Sequence, residues 1–548
     1  MYSPIDNTDA ASMHIGLEPY ETRYSVDSQK DEPLGEEDLP LKEAIKLYPK
    51  VILHCLGMTT VILLWGYELV IVGAVTAVPA FQRDFGQQFR EGDVNEYIIP
   101  ALWIALWTAC GPLGSAFGAM TGGWVQDRIG RKRCLGVGSI FSIIAVAIIF
   151  ISNQPAGVDA KRAVFLAGKI LQGFSVGMIK IQALTYVSEN IPTCLRGSAM
   201  ALFPAFTLLG QLIGAVVMFA ISKAESSTSY MAAFASQWPL SLICLLLAFI
   251  TPESPAYLVR KNMMDKALKS LERLFEPKVD SKKLLERLRV SIEEEERNSP
   301  NVSYKDCFSA MNRRRTGIVI FASVLSNMFG LPLLSSASYF LQQVGMEPST
   351  SLLFLIIGIV AGMLSNSTSV WVLSRFGRRI ISLITLGIAM LLWTGMGISG
   401  FWNGTTVTTW WTAITCIVTV VVTGLGVWPA SYAIKGETSS LRLRAKTQGL
   451  GGLADYVSTV AISIVLPYLY NPDASNLGAK TGFVFSGLCA IALVTMYFVV
   501  PEMKGRSIME LDRMFELKLS ARKFESWKPS VVDYDDTAYH HGDVEIGA

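Results

Sequence analysis

At 548 residues, with 51% of them hydrophobic, 17% charged and a mean hydropathy of +0.39, the chain is too apolar for a soluble protein of its size and falls in the membrane class. The formal net charge of +2 is near neutral and gives no ground for a nucleic-acid partner. The eight cysteines are scattered, several of them (Cys55, Cys110, Cys244, Cys416, Cys489) inside apolar runs, and they read as small buried residues rather than a disulfide framework or a zinc site.

Residues 1–50 are polar and acidic, without a basic start followed by an apolar core, so they read as a disordered cytosolic tail and not as a signal peptide. From Val51 onward long apolar runs alternate with short polar breaks. Twelve runs stand near the roughly 20 residues that a membrane-spanning helix needs, at about 53–80, 98–122, 134–152, 162–184, 198–221, 234–251, 316–341, 351–373, 380–400, 409–433, 446–470 and 481–500. No run alternates with the period of a barrel strand, and a backbone in hydrocarbon must satisfy its own polar groups, so these are expected to be helices. The fold class is an all-α membrane protein with twelve transmembrane helices in two pseudo-symmetric six-helix bundles. The expected divisions are a bundle over 51–251, a cytosolic helical linker over 252–315 with Leu268, Leu271 and Leu274 on one stripe, a second bundle over 316–500 and a cytosolic tail over 501–548.

Basic residues cluster after the second, fourth, eighth and tenth helices (Arg128, Arg131, Lys132, Arg133; Arg196; Arg375, Arg378, Arg379; Arg442, Arg444, Lys446), which puts both termini in the cytosol. The glycine-bounded charged stretch GGWVQDRIGRKR at 122–133 has a weaker copy, WVLSRFGRR, at 371–379. Glu189 precedes Arg196 by seven residues, and Glu437 precedes Arg444 by seven, a recurrence that suggests a cytosolic clamp used twice.

Together with SENIPTCLRG at 188–197, PESPAYLVRK at 252–261, RFGRR at 375–379, GETSSLRLRAKT at 436–447 and PEMKGRS at 501–507, these stretches resemble a sugar porter of the major facilitator superfamily, closest to the fungal α-glucoside permeases. The resemblance implies alternating access, two bundles rocking about a site near the bilayer midplane, with Asp127, Arg128, Arg131, Glu189, Arg196, Arg375, Arg378, Glu437 and Arg444 as a cytosolic gate that latches the outward-open state. Ser374 stands where the family has an acid, so the second copy of the latch is expected to be weaker.

Interior polar residues are the remaining candidates. Glu68 in the first helix and Lys169 in the fourth occupy positions where the family has an acid and an arginine, and they are expected to couple transport to a proton, Glu68 alternating between protonated and Lys169-paired forms. A static buried pair that orders the bundle is the alternative. Trp65 stands where the α-glucoside permeases carry a second acid. Gln211 matches a family sugar-binding glutamine, Ser326 and Asn327 replace a glutamine pair on the seventh helix, Tyr339 is kept, Tyr432 can stack on a ring, and Asp455 is a further membrane-depth acid. Pro204 replaces another amide.

The expected function is a plasma-membrane carrier moving a sugar such as maltose, coupled to a proton, with the lipid bilayer and a small-molecule substrate as its partners and no cofactor, metal or nucleic acid. The loss of amides keeps open a polyol, a quinate-like acid or a fungal secondary metabolite, and a non-transporting nutrient sensor is the reading from another class. No GxxxxGK[ST] loop is present for an ATP-driven pump, and His54, His540 and His541 make no metal-spaced cluster. Asn403-Gly-Thr405 in an expected exterior loop is a candidate glycosylation acceptor.

Overall fold

The structure is a computed structural model that describes residues 41–527, apart from 92–93, 222–225, 299–302, 403, 440–442, 505, 507 and 525. Residues 1–40 of the tail expected over 1–50, the end of the C-terminal tail, Asn403, Arg442 and the side chain of Arg196 therefore lie outside the described residues, and the rest of the expected N-terminal tail is helical, as Leu41–Leu47 and the start of the helix at Pro49.

The first bundle is built from α1 (Pro49–Val75), α2 (Ala101–Ile129), α3 (Arg131–Asn153), α4 (Val158–Asn190), α5 (Thr193–Ile221) and α6 (Ser227–Ile250). The seventh helix, α7, comes in three pieces, Arg313–Met328, Leu331–Ser335 and Ala337–Gln343. It is followed by α8 (Pro348–Phe376), α9 (Arg378–Trp402), α10 (Thr406–Thr438), α11 (Arg444–Tyr470) and α12 (Gly478–Val499). Eleven of these are long and apolar enough to cross a membrane.

The exception has a local cause. Gly330 sits at φ 97°, ψ 22°, a left-handed conformation that stops the helix, and Pro332 opens the next piece. The break frees carbonyls inside the apolar zone, and the protein satisfies them itself: Trp393 Nε1 on α9 donates to the Phe329 carbonyl at 3.0 Å.

One other expectation, that the helices end at 122 and resume at 134, is corrected. The charged stretch at 122–133 is almost entirely helical, because α2 runs to Ile129 and α3 begins at Arg131, leaving Gly130 at φ 100° as the whole turn. The stretch between α1 and α2 folds as a short helix, Pro79–Phe85, and an antiparallel hairpin of β1 (Gln87–Glu91) and β2 (Val94–Ile98), with Gln87 opposite Ile98. In the linker, Leu271 and Leu274 are buried as the stripe requires. The helix Met264–Phe275 that carries them is tied to the first bundle by Arg273 Nη2, which donates to the Ile250 carbonyl at 2.6 Å.

With no aqueous hydrophobic effect to drive them together, helices in lipid associate through close backbone packing. On α2 and α4 this is achieved with glycine: a Cβ on Gly118 would collide with the Phe174 carbonyl, one on Gly173 with the Gly111 carbonyl, and one on Gly177 with the Ser115 carbonyl. Ser115 Oγ donates to the Gly173 carbonyl at 3.0 Å across the same seam. Gly66 and Gly210 do the same for α1 and α5, against the carbonyls of Thr207 and Leu63. Gly177→Ala must push two backbones apart and is expected to cost about 1–3 kcal/mol, read as a lowered melting temperature in detergent. Gly123→Ala, with nothing within 4 Å of the added methyl, should leave it unchanged.

Candidate functional site

Because the helices alternate in direction, the first and last described residues and the linker gather at one end of the molecule, here termed the linker face; the opposite end is the far face. Each bundle carries a charge cluster at its linker face. In the first, Arg131 at the start of α3 makes two parallel bonds to Glu189 on α4, Nε to Oε2 at 3.0 Å and Nη2 to Oε1 at 2.6 Å. Asp127 on α2 stands 3.2 Å from Arg131 Nη1, and Ser254 Oγ donates to Glu189 Oε2 at 2.6 Å. The Glu253 carboxylate caps the amino end of α3, accepting from the Arg131 amide at 2.7 Å and the Lys132 amide at 3.2 Å, where orphaned N–H groups and the helix dipole favour an anion.

The second bundle repeats this. Arg378 at the start of α9 bonds Glu437 on α10, Nη2 to Oε1 at 2.6 Å, and the Glu502 carboxylate accepts from the amides of Arg378 and Arg379, both at 3.0 Å. Gly377 at φ 86° makes the turn, as Gly130 does in the first copy. Ser374, at the place of Asp127, bonds only the Trp371 carbonyl of its own helix.

These clusters differ from the expected latch in two ways. The acids pair with Arg131 and Arg378 of the glycine turns: Glu437 bonds Arg378, whereas Arg444 keeps a buried Nε without a partner. The ion pairs also lie within a bundle, bracing three helices or segments of it, and do not bridge the two bundles. Arg128 lies over the Trp124 ring at 4.4 Å, and Arg375 is exposed, its carbonyl accepting from Lys504 Nζ at 2.7 Å. Glu253 and Glu502 were not singled out from the sequence, although both follow the last helix of their half in a Pro-Glu pair, the same matching that links Glu189 with Glu437.

The bundles are sewn together at the far face. Gln342 Nε2 donates to the Ala77 carbonyl at 2.7 Å, Gln82 Nε2 to Gln342 Oε1 at 3.0 Å, and Ser338 Oγ to the Gly73 carbonyl at 2.9 Å. Asn471 Nδ2 reaches the Ile99 carbonyl at 2.9 Å, and the Ala101 amide donates to Asp473 Oδ2 at 2.9 Å. Tyr339, expected at the substrate, is buried in this seam, its hydroxyl donating to Asn471 Oδ1 at 2.9 Å, so here it orients a closing residue.

Between the two faces, Glu68 and Lys169 form a buried ion pair, and Glu68 Oε2 has no further partner. Nearer the linker face, Asp455 on α11 has Ser326 Oγ at 3.5 Å and feels the charges of Lys435 on α10 and Lys180 on α4. Tyr432 stands beside Asp455 under the Lys435 ammonium, 4.1 Å from it, yet is 53% exposed, so its ring faces the space between the bundles. Gln211 is half-buried and makes no hydrogen bond to a described residue. Asn327 donates to Ser458 Oγ at 2.7 Å and Thr459 Oγ1 at 3.1 Å and so joins α7 to α11. Lys180 and Lys435 were missed, although the rule that flagged Glu68 and Asp455, an ionisable group at membrane depth, applies to them equally.

The two braces differ in burial: the side chains of Arg131 and Glu189 are 3% and 13% exposed, those of Arg378 and Glu437 23% and 30%. Glu189→Gln, which leaves a buried guanidinium short of its anion, is therefore expected to cost about 3 kcal/mol, and Glu437→Gln about 1 kcal/mol. Melting temperatures of the two purified variants check this, and the reverse order would contradict it.

Comparison with known proteins agrees with this architecture. The family model described as sugar (and other) transporter matches residues 54–515. The alpha-glucosides permease MPH3 of Saccharomyces cerevisiae is 30% identical over 531 residues, covering 95% of this chain and 86% of the relative. The MFS transporter fmqE of Aspergillus fumigatus is 28% identical over 549 residues, covering 96% of this chain and 99% of its own. Among solved structures, the inward open conformation of the xylose transporter XylE from E. coli superposes with a TM-score of 0.68 at 18% identity, covering 85% of this chain and 99% of that one. The chain is thus a multi-pass membrane transporter and not an enzyme, and it belongs to the sugar (and other) transporter family of the major facilitator superfamily.

Proposed function

We propose that this chain is a secondary carrier for a polyhydroxylated small molecule, with α-glucosides as the leading class, working by alternating access and coupled to a proton through Glu68 and Lys169. The observation that carries the reading is the asymmetry of the bundle contacts. Hydrogen bonds from Gln82, Ser338, Gln342 and Asn471 close the far face, while Asp455 and the exposed ring of Tyr432 look into a space nearer the linker face. A protein held that way needs only to exchange one set of contacts for the other to present the same site to both sides.

The buried Glu68–Lys169 pair supplies the coupling. A charge at that depth is tolerated only when paired or neutralised, so a proton on Glu68 releases Lys169 and a bare carboxylate holds it. The membrane assigned is the plasma membrane with both termini cytosolic, supported by the basic residues at the linker face and by the permease relatives.

Uptake of radiolabelled maltose and glucose by transporter-deficient yeast tests the proposal. Uptake by the wild-type chain should be stimulated by external acid, and Glu68→Gln, which cannot ionise, should abolish the pH dependence. Full acid stimulation retained in that variant would contradict the coupling role, and sugar uptake without any acid stimulation would reduce the carrier to facilitated diffusion.

A further inference from the structure

The charges lining the space between the bundles do not balance. Glu68 and Lys169 satisfy each other, but nearer the linker face two ammonium groups, Lys180 and Lys435, share one carboxylate, Asp455. Neither ammonium makes an ion pair or hydrogen bond to a described residue. Lys180 instead lies 3.4 Å over the Trp65 ring and Lys435 4.1 Å over the Tyr432 ring, contacts that help a cation without neutralising it. The polar side chains that accompany Asp455, among them Ser326, Ser458 and Thr459, bring hydroxyls and no second carboxylate. Among the described residues, one net positive charge is left over.

Resting on the carrier reading, we infer that among polyhydroxylated solutes the site takes one that carries a carboxylate, as a sugar acid does, ahead of its neutral counterpart, and that this carboxylate seats between Lys180 of the first bundle and Lys435 of the second. Both ammonium groups are three-proton donors suited to a carboxylate, and Asp455 and Ser326 are left to receive hydroxyls. The two lysines stand on opposite bundles, and each feels the other's charge. Closing the linker face brings them together against their repulsion. A bound anion offsets it, so occupancy of the site and closure of the linker face are linked.

Thermal stabilisation of the purified full-length protein by gluconate and glucuronate, against glucose and sorbitol as neutral partners, tests the inference, with uptake of the same four compounds measured in cells. The acids should stabilise the wild-type protein at concentrations at least about tenfold below those needed for the neutral compounds. Lys180→Met and Lys435→Met should each weaken the acids about tenfold, and Lys435→Arg should retain binding, which separates loss of charge from loss of fold. Neutral compounds bound and carried in preference to the acids, with the Met variants unimpaired, would overturn the anion site while leaving the carrier standing. Uptake of none of the four, or of maltose, by protein present at the cell surface would overturn the carrier reading and the anion site together.

Discussion

A charge within a helical bundle in a bilayer must be paired, protonated or watered, and that constraint orders the molecule from the midplane outwards. At the centre Glu68 and Lys169 meet it by pairing. At the linker face Arg131 meets it with Glu189 and Asp127, and the helix it begins is capped by Glu253. Around Asp455 the described residues leave the requirement unmet, and there Lys180 and Lys435 stand over aromatic rings beside the space between the bundles. Residues of one kind thus do different work according to whether their counter-charge is built in.

Duplication explains the braces and their inequality. Both copies combine a glycine turn, an arginine at the first position of the next helix, an acid two helices' reach away and a second acid that caps the helix start. The copies differ in strength at the place of Asp127. Asp127 adds a third charge to the first brace, whereas Ser374 turns back on its own helix. The seventh helix departs most from its counterpart, since Gly330 breaks it and Trp393 repairs the exposed carbonyl. The pieces beyond the break carry Ser338, Tyr339 and Gln342 into the far-face seam. A short, hinged segment can change partners more readily than a continuous rod, which suits a closing element.

The periodic, extended features were legible in the sequence. Apolar runs near membrane thickness marked out the helices, with 446–470 coinciding with the observed span, and the doubled glycine and charge motifs pointed to two matched bundles. Partnerships were less legible. Seven-residue spacing favoured Glu437 with Arg444, but a carboxylate pairs with the guanidinium nearest in space, and Arg378 arrives from a different helix. Asn327 and Tyr339 are the right residue types for a solute site, and here they hydrogen-bond Ser458, Thr459 and Asn471, which no linear pattern reveals. Lys435 lies three residues beyond Tyr432 in the sequence, and the charge imbalance emerges only when α4, α10 and α11 are brought together.

The central claim is that one site is offered alternately to the two faces, and distances between spin labels test it most directly. Labels at Arg133 and Ser374 report the linker face, and labels at Val158 and Val407 report the far face, in a background freed of its native cysteines. Adding a solute that cells carrying the protein take up should shorten the linker-face distance and lengthen the far-face one. If such a solute leaves both distances unchanged, the bundles do not rock about a common site and the account fails.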